Sequence, residues 1–342
     1  MAETGIAVIR LAAILIVAAC APSDDQARRP APVPDFTIPA GREHFAFSRT
    51  IPPVLRVSDG AIIEAHAKEA SNNLVKPGMT SEEYRKLVWP EPYGHPLAGP
   101  IYVEGAEPGD KLAVTLLTLE LGDWGWTDTS PDFSYIGNEV GGTHLKTYIF
   151  DAKKKVARFS ERITVPLRPF PGVMGVAPDT DSMLSTVPPR ANGGNMDDPN
   201  IVEGTTVYFP VFVKGALFSI GDPHAAQGHG EISGTAIEAP MRIVFRVNLI
   251  KGGPRISEPQ YETKDFYAVT AFAKTLDEAA KKATRYMVAW LVEAHGLERH
   301  EANMLGSVAG DLKIAEVVDG NVLVLMHMPK SVFMPSRRSV PP

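Results

Sequence analysis

Apolar and β-branched residues recur along this chain in short runs, separated by glycine and proline. In residues 111–121, Leu112, Val114, Leu116 and Leu119 follow the turn Glu107-Pro108-Gly109-Asp110. This pattern predicts a strand launched from a tight turn. Thr205 to Val213 and Met241 to Leu249 carry similar runs and predict two more strands. Residues 317–328 return to strand character. A different period appears after Thr275. Leu276, Ala279, Ala280, Ala283, Met287, Trp290 and Leu291 recur at helical spacing. Thr275 with Glu278 three residues on reads as a capping box, and Gly296 can close the helix. A second helix is predicted from Arg299 to Val308, bounded by Gly310. Met287 and Trp290 are read as core residues. Trp124 and Trp126, flanking Gly125, are read as a turn-like stretch that packs at an edge or lines a pocket. The fold class expected is mainly β (α+β): a multi-stranded sandwich or barrel-like body with a C-terminal helical pair.

The first twenty residues set a different expectation. Arg10 precedes Leu-Ala-Ala-Ile-Leu-Ile-Val-Ala-Ala, a run too short for a stable membrane span. It reads as the apolar region of a secretory signal. Val17-Ala18-Ala19-Cys20 resembles a bacterial lipobox, and Cys20 is the only cysteine. The expectation is export, with the protein periplasmic or anchored at the outer membrane through a lipid. Plain cleavage near Ala19 or Ala21 is the alternative. Residues 21–40 are rich in proline and charge and are expected to form a tether. Residues 41–342 then form the catalytic domain, with room for two intimate β-rich subdomains.

A net charge of −6 and 44% hydrophobic residues describe an ordinary globular protein. No basic stripe points to nucleic acid. The expected partners are a small-molecule substrate, a membrane only through the lipid anchor, and in one arrangement a second copy. Without cysteine beyond position 20, any metal must be held by His, Asp, Glu, Asn or backbone.

Three segments carry more polar side chains and glycine than a fold alone needs. Residues 221–231 crowd Asp222, His224, Gln227, His229 and Glu231 together, with glycines at 221, 228 and 230. Asp222 and His224, two apart, can point the same way from an extended strand. They offer an oxygen and an imidazole nitrogen to one cation. Glu231 reads as a further ligand or as a general base toward water. His229, between glycines, is read as facing water. In the second segment, His95 is pinned between Gly94 and Pro96, as a ligand or acid–base group should be, although a surface turn has the same pattern. In the third, Asn192-Gly193-Gly194-Asn195 reads as a loop whose N–H groups could face an oxyanion, with Asp197 as a metal ligand. No Gly-Lys-Ser/Thr follows, so it is not a phosphate loop.

These segments together resemble the acetamidase/formamidase family, which also contains lactam-hydrolysing members. The resemblance is carried by the His-Pro-Leu-x-Gly-Pro-x-x-Val-Glu-Gly-Ala-Glu-Pro-Gly-Asp run (95–110) and by Gly175-Val176-Ala177-Pro178. Gly-Gly-Asn-Met-Asp (193–197) and Gly-Ala-Leu-Phe-Ser-x-Gly-Asp-x-His-Ala-Ala-Gln-Gly-x-Gly-Glu (215–231) complete it. It implies a β-rich fold, hydrolysis of small amides of the formamide or acetamide type, and a divalent metal, zinc before calcium. His95, Asp197, Asp222 and His224 are the metal-ligand positions this reading selects. Glu231, Asn195 and Gln227 are its catalytic positions. His229 stands where many relatives have Asp. The alternatives are a lactam-hydrolysing member and a non-catalytic amide- or metal-binding lipoprotein on the same scaffold. The position of the sole cysteine removes a cysteine nucleophile, and no Ser-Ser-Lys signature is present.

Overall fold

The computed structural model describes residues 32–91 and 93–333. Cys20, the expected signal segment and residues 21–31 of the expected tether lie outside the described residues. The folded body starts earlier than residue 41. Phe36–Ile38 pairs in parallel with Ile62–Ala67, and the Asp35 carboxylate accepts from the Ile62 N–H at 2.8 Å. The tether expected to reach residue 40 is shortened accordingly.

Two large sheets make the body. A nine-stranded sheet runs in the order Phe36–Ile38, Ile62–Ala67, Met241–Ile250, Lys111–Leu121, Thr206–Pro210, Gln260–Glu262, Phe266–Ala273, Val322–Pro329, Asp311–Glu316. The second sheet is centred on Phe218–Ala226, flanked by Phe170–Gly175 on one side and by Ile237–Glu238 and Leu97–Val103 on the other. Both sheets contribute to one core. Ile63, Leu112, Val114 and Phe245 of the first meet Ile101, Met174, Phe218 and Ile220 of the second. The Phe218 and Phe245 rings lie 5.6 Å apart, centroid to centroid, across the interface. The result is a β-sandwich, as the residue pattern predicts.

The helical pair covers the outer face of the nine-stranded sheet. Along Val322–Pro329, Leu323 and Leu325 enter the inter-sheet core, whereas Val324, Met326 and Met328 meet the helices. Period-two alternation thus divides one strand between two apolar interfaces. Leu276–His295 begins at Thr275, whose hydroxyl accepts from the Glu278 N–H at 3.3 Å, and ends at Gly296 with φ 66°. Arg299–Ala309 follows, closed by Gly310. Met287 is fully buried and Trp290 packs beside it.

Several expected boundaries shift. The Lys111–Leu121 strand forms over the expected residues, and Met241–Ile250 is one residue longer. The strand expected over Thr205–Val213 closes at Pro210. Residues 317–321 belong to the turn between Asp311–Glu316 and Val322–Pro329, where Asp319 takes φ 59°. Trp124–Thr129 is a strand, since paired residues 144–151 supply its hydrogen bonds, and Trp126 is buried. Gly193–Asn195 is also a strand, paired to Phe170–Gly175.

The helix–sheet interface should set much of the stability. Met287→Ala removes a fully buried side chain there and is predicted to destabilise the protein by about 2–5 kcal/mol. Denaturant unfolding measures this, and a loss below about 1 kcal/mol would mean that the helices contribute little to the fold.

Candidate active site

The Phe218–Ala226 strand carries Asp222 and His224, both almost fully buried. Asp222 has φ 50°, unusual within a strand, which turns its carboxyl and the following backbone toward one cleft. Gly172 lies opposite, between the register pairs Pro171 with Pro223 and Val173 with Gly221. A Cβ at position 172 would sit 2.5 Å from Asp197 Oδ1 and 2.7 Å from His224 Cε1. Only glycine fits there. The Gly172 carbonyl in turn accepts from the N–H groups of Met196 and Asp197, which brings Asp197 to the same point.

Other segments close the site. Glu238 faces His224 across the strand pair. Glu231 has φ 46° in a turn whose Gly230 N–H donates to the Ala315 carbonyl at 2.7 Å. The backbone N–H of His95 donates to Thr186 Oγ1 at 2.7 Å, and its Nε2 lies 3.8 Å from Asp222 Oδ2. Asp319, from the C-terminal hairpin turn, accepts from Asn195 Nδ2 at 2.7 Å. His95, Asn195, Asp197, Asp222, His224, Glu231, Glu238 and Asp319 line a cleft of about 470 Å³.

One chain of hydrogen bonds fixes the state of His224. A peptide carbonyl can only accept, so the Gln227 amide nitrogen must be the group 2.7 Å from the Asp197 carbonyl oxygen. Gln227 Oε1 therefore faces His224 Nδ1 at 2.9 Å, and Nδ1–H is the donor. His224 Nε2 is left between Asp222 Oδ2 and Glu238 Oε2, each 3.3 Å away. Two carboxyl oxygens and a ring nitrogen so close require a proton among them, on Nε2 or on a carboxyl, or a cation.

The carboxyls respond to this crowding. Burial works against ionisation of Asp222, but the imidazoles of His95 and His224 outweigh it and hold the group down at about 2. Burial pushes Glu238 up to about 7, with Asp222 adding repulsion and His224 opposing. Burial, with repulsion from Asp222, likewise raises Asp319 to about 7. Asp197 and Glu231 rise well above the carboxylate range through burial and neighbouring acids. His224 rises despite its burial, drawn up by Glu238 and Asp222.

The oxygens are also under-used. Asp197 Oδ1, Asp222 Oδ1, Glu238 Oε2 and Asn195 Oδ1 are buried with no hydrogen-bond partner among the described residues. Two sets, Asp197–His224–Glu231 and Asp222–His224–Glu238, each present three ligand atoms within 4.8 Å of one another. Carboxylates around a fixed imidazole with unsatisfied oxygens are a donor set that suits a divalent cation. Because Gln227 occupies Nδ1, the Asp222–His224–Glu238 set has the free ring nitrogen. Away from this floor, the cleft is walled by Tyr84, Trp89, Tyr93, Trp126 and Phe133.

Of the residues selected from sequence, His95, Asn195, Asp197, Asp222, His224 and Glu231 converge on the cleft. Gln227 does not line it and is not placed to act on substrate; it orients His224 from behind. The proposed oxyanion donors at Gly193 and Gly194 also fail, because both residues sit in a paired strand off the cleft wall. The Gly193 N–H donates to the Arg190 carbonyl. His229 lies at the surface, with Nδ1 on the Ile314 carbonyl at 2.8 Å. Glu238 and Asp319 went unselected. Glu238 had one weak signal, an acid set in the apolar run Ala236-Ile237-Glu238-Ala239.

Comparison with known proteins gives the same family as the motifs. Acetamidase of Mycolicibacterium smegmatis is 29% identical over 277 residues, covering 61% of this chain and 66% of that protein. Formamidase of Methylophilus methylotrophus is 31% identical over 219 residues, covering 46% and 52%. The matches thus span between about half and two thirds of these curated relatives. The solved acetamidase of Bacillus halodurans superposes with a TM-score of 0.81 at 28% identity, covering 87% of this chain and 98% of that one. The family model for acetamidase/formamidase matches residues 39–185 and 181–335, nearly all of the folded body, and the chain belongs to that family.

Proposed function

We propose that the protein hydrolyses the carbon–nitrogen bond of an amide at the cleft floor, using water and releasing a carboxylate with ammonia or an amine. The observation that carries this reading is the ring of buried, under-bonded carboxylates about a single oriented imidazole. The names of the relatives, acetamidase and formamidase, support the reaction class.

Amide hydrolysis needs an activated water, a stabilised oxyanion and a protonated leaving nitrogen. A divalent cation held by Asp222, His224 and Glu238, with Asp197 and Glu231 in reach, would polarise the carbonyl and acidify water. Zinc is our choice, since imidazole with carboxylate suits it, whereas calcium takes oxygen ligands. The protein's own groups do the rest. With the floor charge balanced by a cation, Glu231 would be ionised, and it then takes a proton from water and returns it to the departing nitrogen. Gln227 holds His224 in the tautomer whose Nε2 faces the floor. Partial desolvation in the cleft and the nearby carboxylates of Asp319 and Asp222 keep the Tyr93 phenol protonated, and it offers a hydrogen-bond donor to the developing oxyanion. His95 sets its Nε2 3.8 Å from Asp222 Oδ2 and closes the floor on one side.

For location, we propose the lipid-anchored, exported form expected from Cys20. Cys20→Ser should leave the protein unprocessed or move it to the soluble fraction, and unchanged fractionation and processing would reject the anchor.

The chemistry is tested by metal content measured beside ammonia release from formamide, acetamide and propionamide. Asp222→Ala and His224→Ala should lose metal and activity together. Glu231→Gln should keep most of its metal while activity falls by about 10²–10⁴-fold, the usual worth of a positioned acid–base group. Gly172→Ala drives a methyl into Asp197 and His224, and should lower both metal content and turnover by at least about tenfold. Full activity in metal-free protein would overturn the cation, and metal-loaded protein inactive on every amide would favour a binding protein.

A further inference from the structure

We propose that the aromatic half of the cleft is a ring-binding subsite, and that the substrate is an amide bearing an apolar ring, not formamide or acetamide. The inference rests on the amidase reading above and specifies its substrate class.

The wall is a continuous row of five rings. Trp126 meets Tyr84 at 6.0 Å between centroids, and Tyr84 meets Trp89 at 6.1 Å. Trp89 then meets Tyr93 at 5.8 Å, and Tyr93 meets Phe133 at 6.3 Å. Spacings and tilts of this kind are those of favourable aromatic contacts, and they leave ring faces and edges for one more ring. Tyr93 and Phe133 are 41% and 43% exposed although they line the cleft, so their apolar surface is uncovered.

The row is held from behind. Trp126 Nε1–H donates at 2.7 Å to the carboxylate of Glu69, which is fully buried. Glu69 also accepts from the N–H groups of Ser71 and Asn73, at 2.7 and 2.6 Å. At the other end, Gly234 packs so closely on Phe133 that a Cβ at 234 would lie 2.5 Å from Phe133 Cβ. The Tyr135 N–H donates to the Ile232 carbonyl at 2.9 Å and fastens the same loop. The two ends of the row are fixed in position before any ligand binds, which reduces the ordering cost of binding.

Volume argues the same way. A cleft of about 470 Å³ has room for roughly fifteen waters at about 30 Å³ each. Acetamide would displace only a few of them and leave its carbonyl in bulk-like water. A ring of phenyl size, filling about 150 Å³, would displace roughly five more waters along the wall and fix the amide over the floor. In the reaction the C–N bond breaks, the water oxygen joins the acyl carbon, a proton goes to nitrogen, and the ring is unchanged.

The test compares purified, metal-loaded protein on acetamide, phenylacetamide and N-benzylacetamide, with ammonia or benzylamine release as the readout. The two ring substrates place the ring on the acyl side or the amine side. At least one should exceed acetamide in kcat/KM by tenfold or more. In Phe133→Ala and Trp89→Leu, the ratio of kcat/KM for that substrate to that for acetamide should fall by tenfold or more. Phe133→Tyr, which keeps the ring, should retain most of it. Acetamide preferred over both ring substrates, or variants that lower all substrates equally, would overturn the subsite. If no amide is turned over, the amidase reading fails, and calorimetry then decides the subsite alone. Phenylacetamide binding at least tenfold tighter than acetamide, and weakened in Phe133→Ala, supports it; equal or absent binding refutes it.

Discussion

Asp197, Asp222, Glu231 and Glu238 are buried around the ring of His224, and like charges in so small a volume repel strongly where water is scarce. The arrangement persists only if protons or a cation balance the charge, and much of the local structure reads as a consequence. The tilt of Asp222 and the missing side chain at Gly172 bring the oxygens together. The Asp197 carbonyl sets Gln227, and Gln227 sets the imidazole tautomer. None of these contacts lowers the charge; each fixes where it is concentrated. A cation in that position would exchange several repulsions for attractions.

The sandwich makes such crowding tolerable. Asp222 and His224 sit on a strand that is locked into the inter-sheet core through Phe218 and Ile220, with Met174 on the neighbouring strand. The opposite sheet is braced again from outside by the helical pair. Backbone pairing on both sides of the Phe218–Ala226 strand leaves little freedom for the acids to move apart. Tyr84, Trp89 and Trp126 of the aromatic wall belong to a separate apolar cluster with Val75, so the cleft joins an ionic floor to an apolar flank of independent construction.

What the sequence revealed follows from distance along the chain. Asp222, His224 and Glu231 stand within one glycine-rich segment, and their density alone marked them. The helices were legible through Thr275, Gly296 and Gly310, because caps are local signals. Glu238 and Asp319 were not legible in this way. Their place depends on strand register, His224 against Glu238, and on a hairpin turn that carries Asp319 to Asn195. Gln227 shows the converse error. Its position among polar residues suggested chemistry, but its side chain, one residue beyond the strand, points behind the imidazole. The Trp124–Trp126 stretch was misread because a central glycine suggests a turn. Here Gly125 lies where the Glu238 carbonyl and the Phe150 ring come too close for any side chain.

Four acids at the floor, Asp197, Asp222, Glu231 and Asp319, share a left-handed backbone with φ between 43° and 59°. Asparagine and aspartate tolerate that conformation better than longer side chains, so the backbone cost is greatest at Glu231, and functional sites are where such cost persists. It follows that heat tolerance and catalysis pull these positions in opposite directions. A library selected only for survival at raised temperature would enrich glycine or asparagine at all four, relaxing the backbone and removing the repulsion in one step. The hardiest clones from such a selection would be well-folded proteins with an emptied floor.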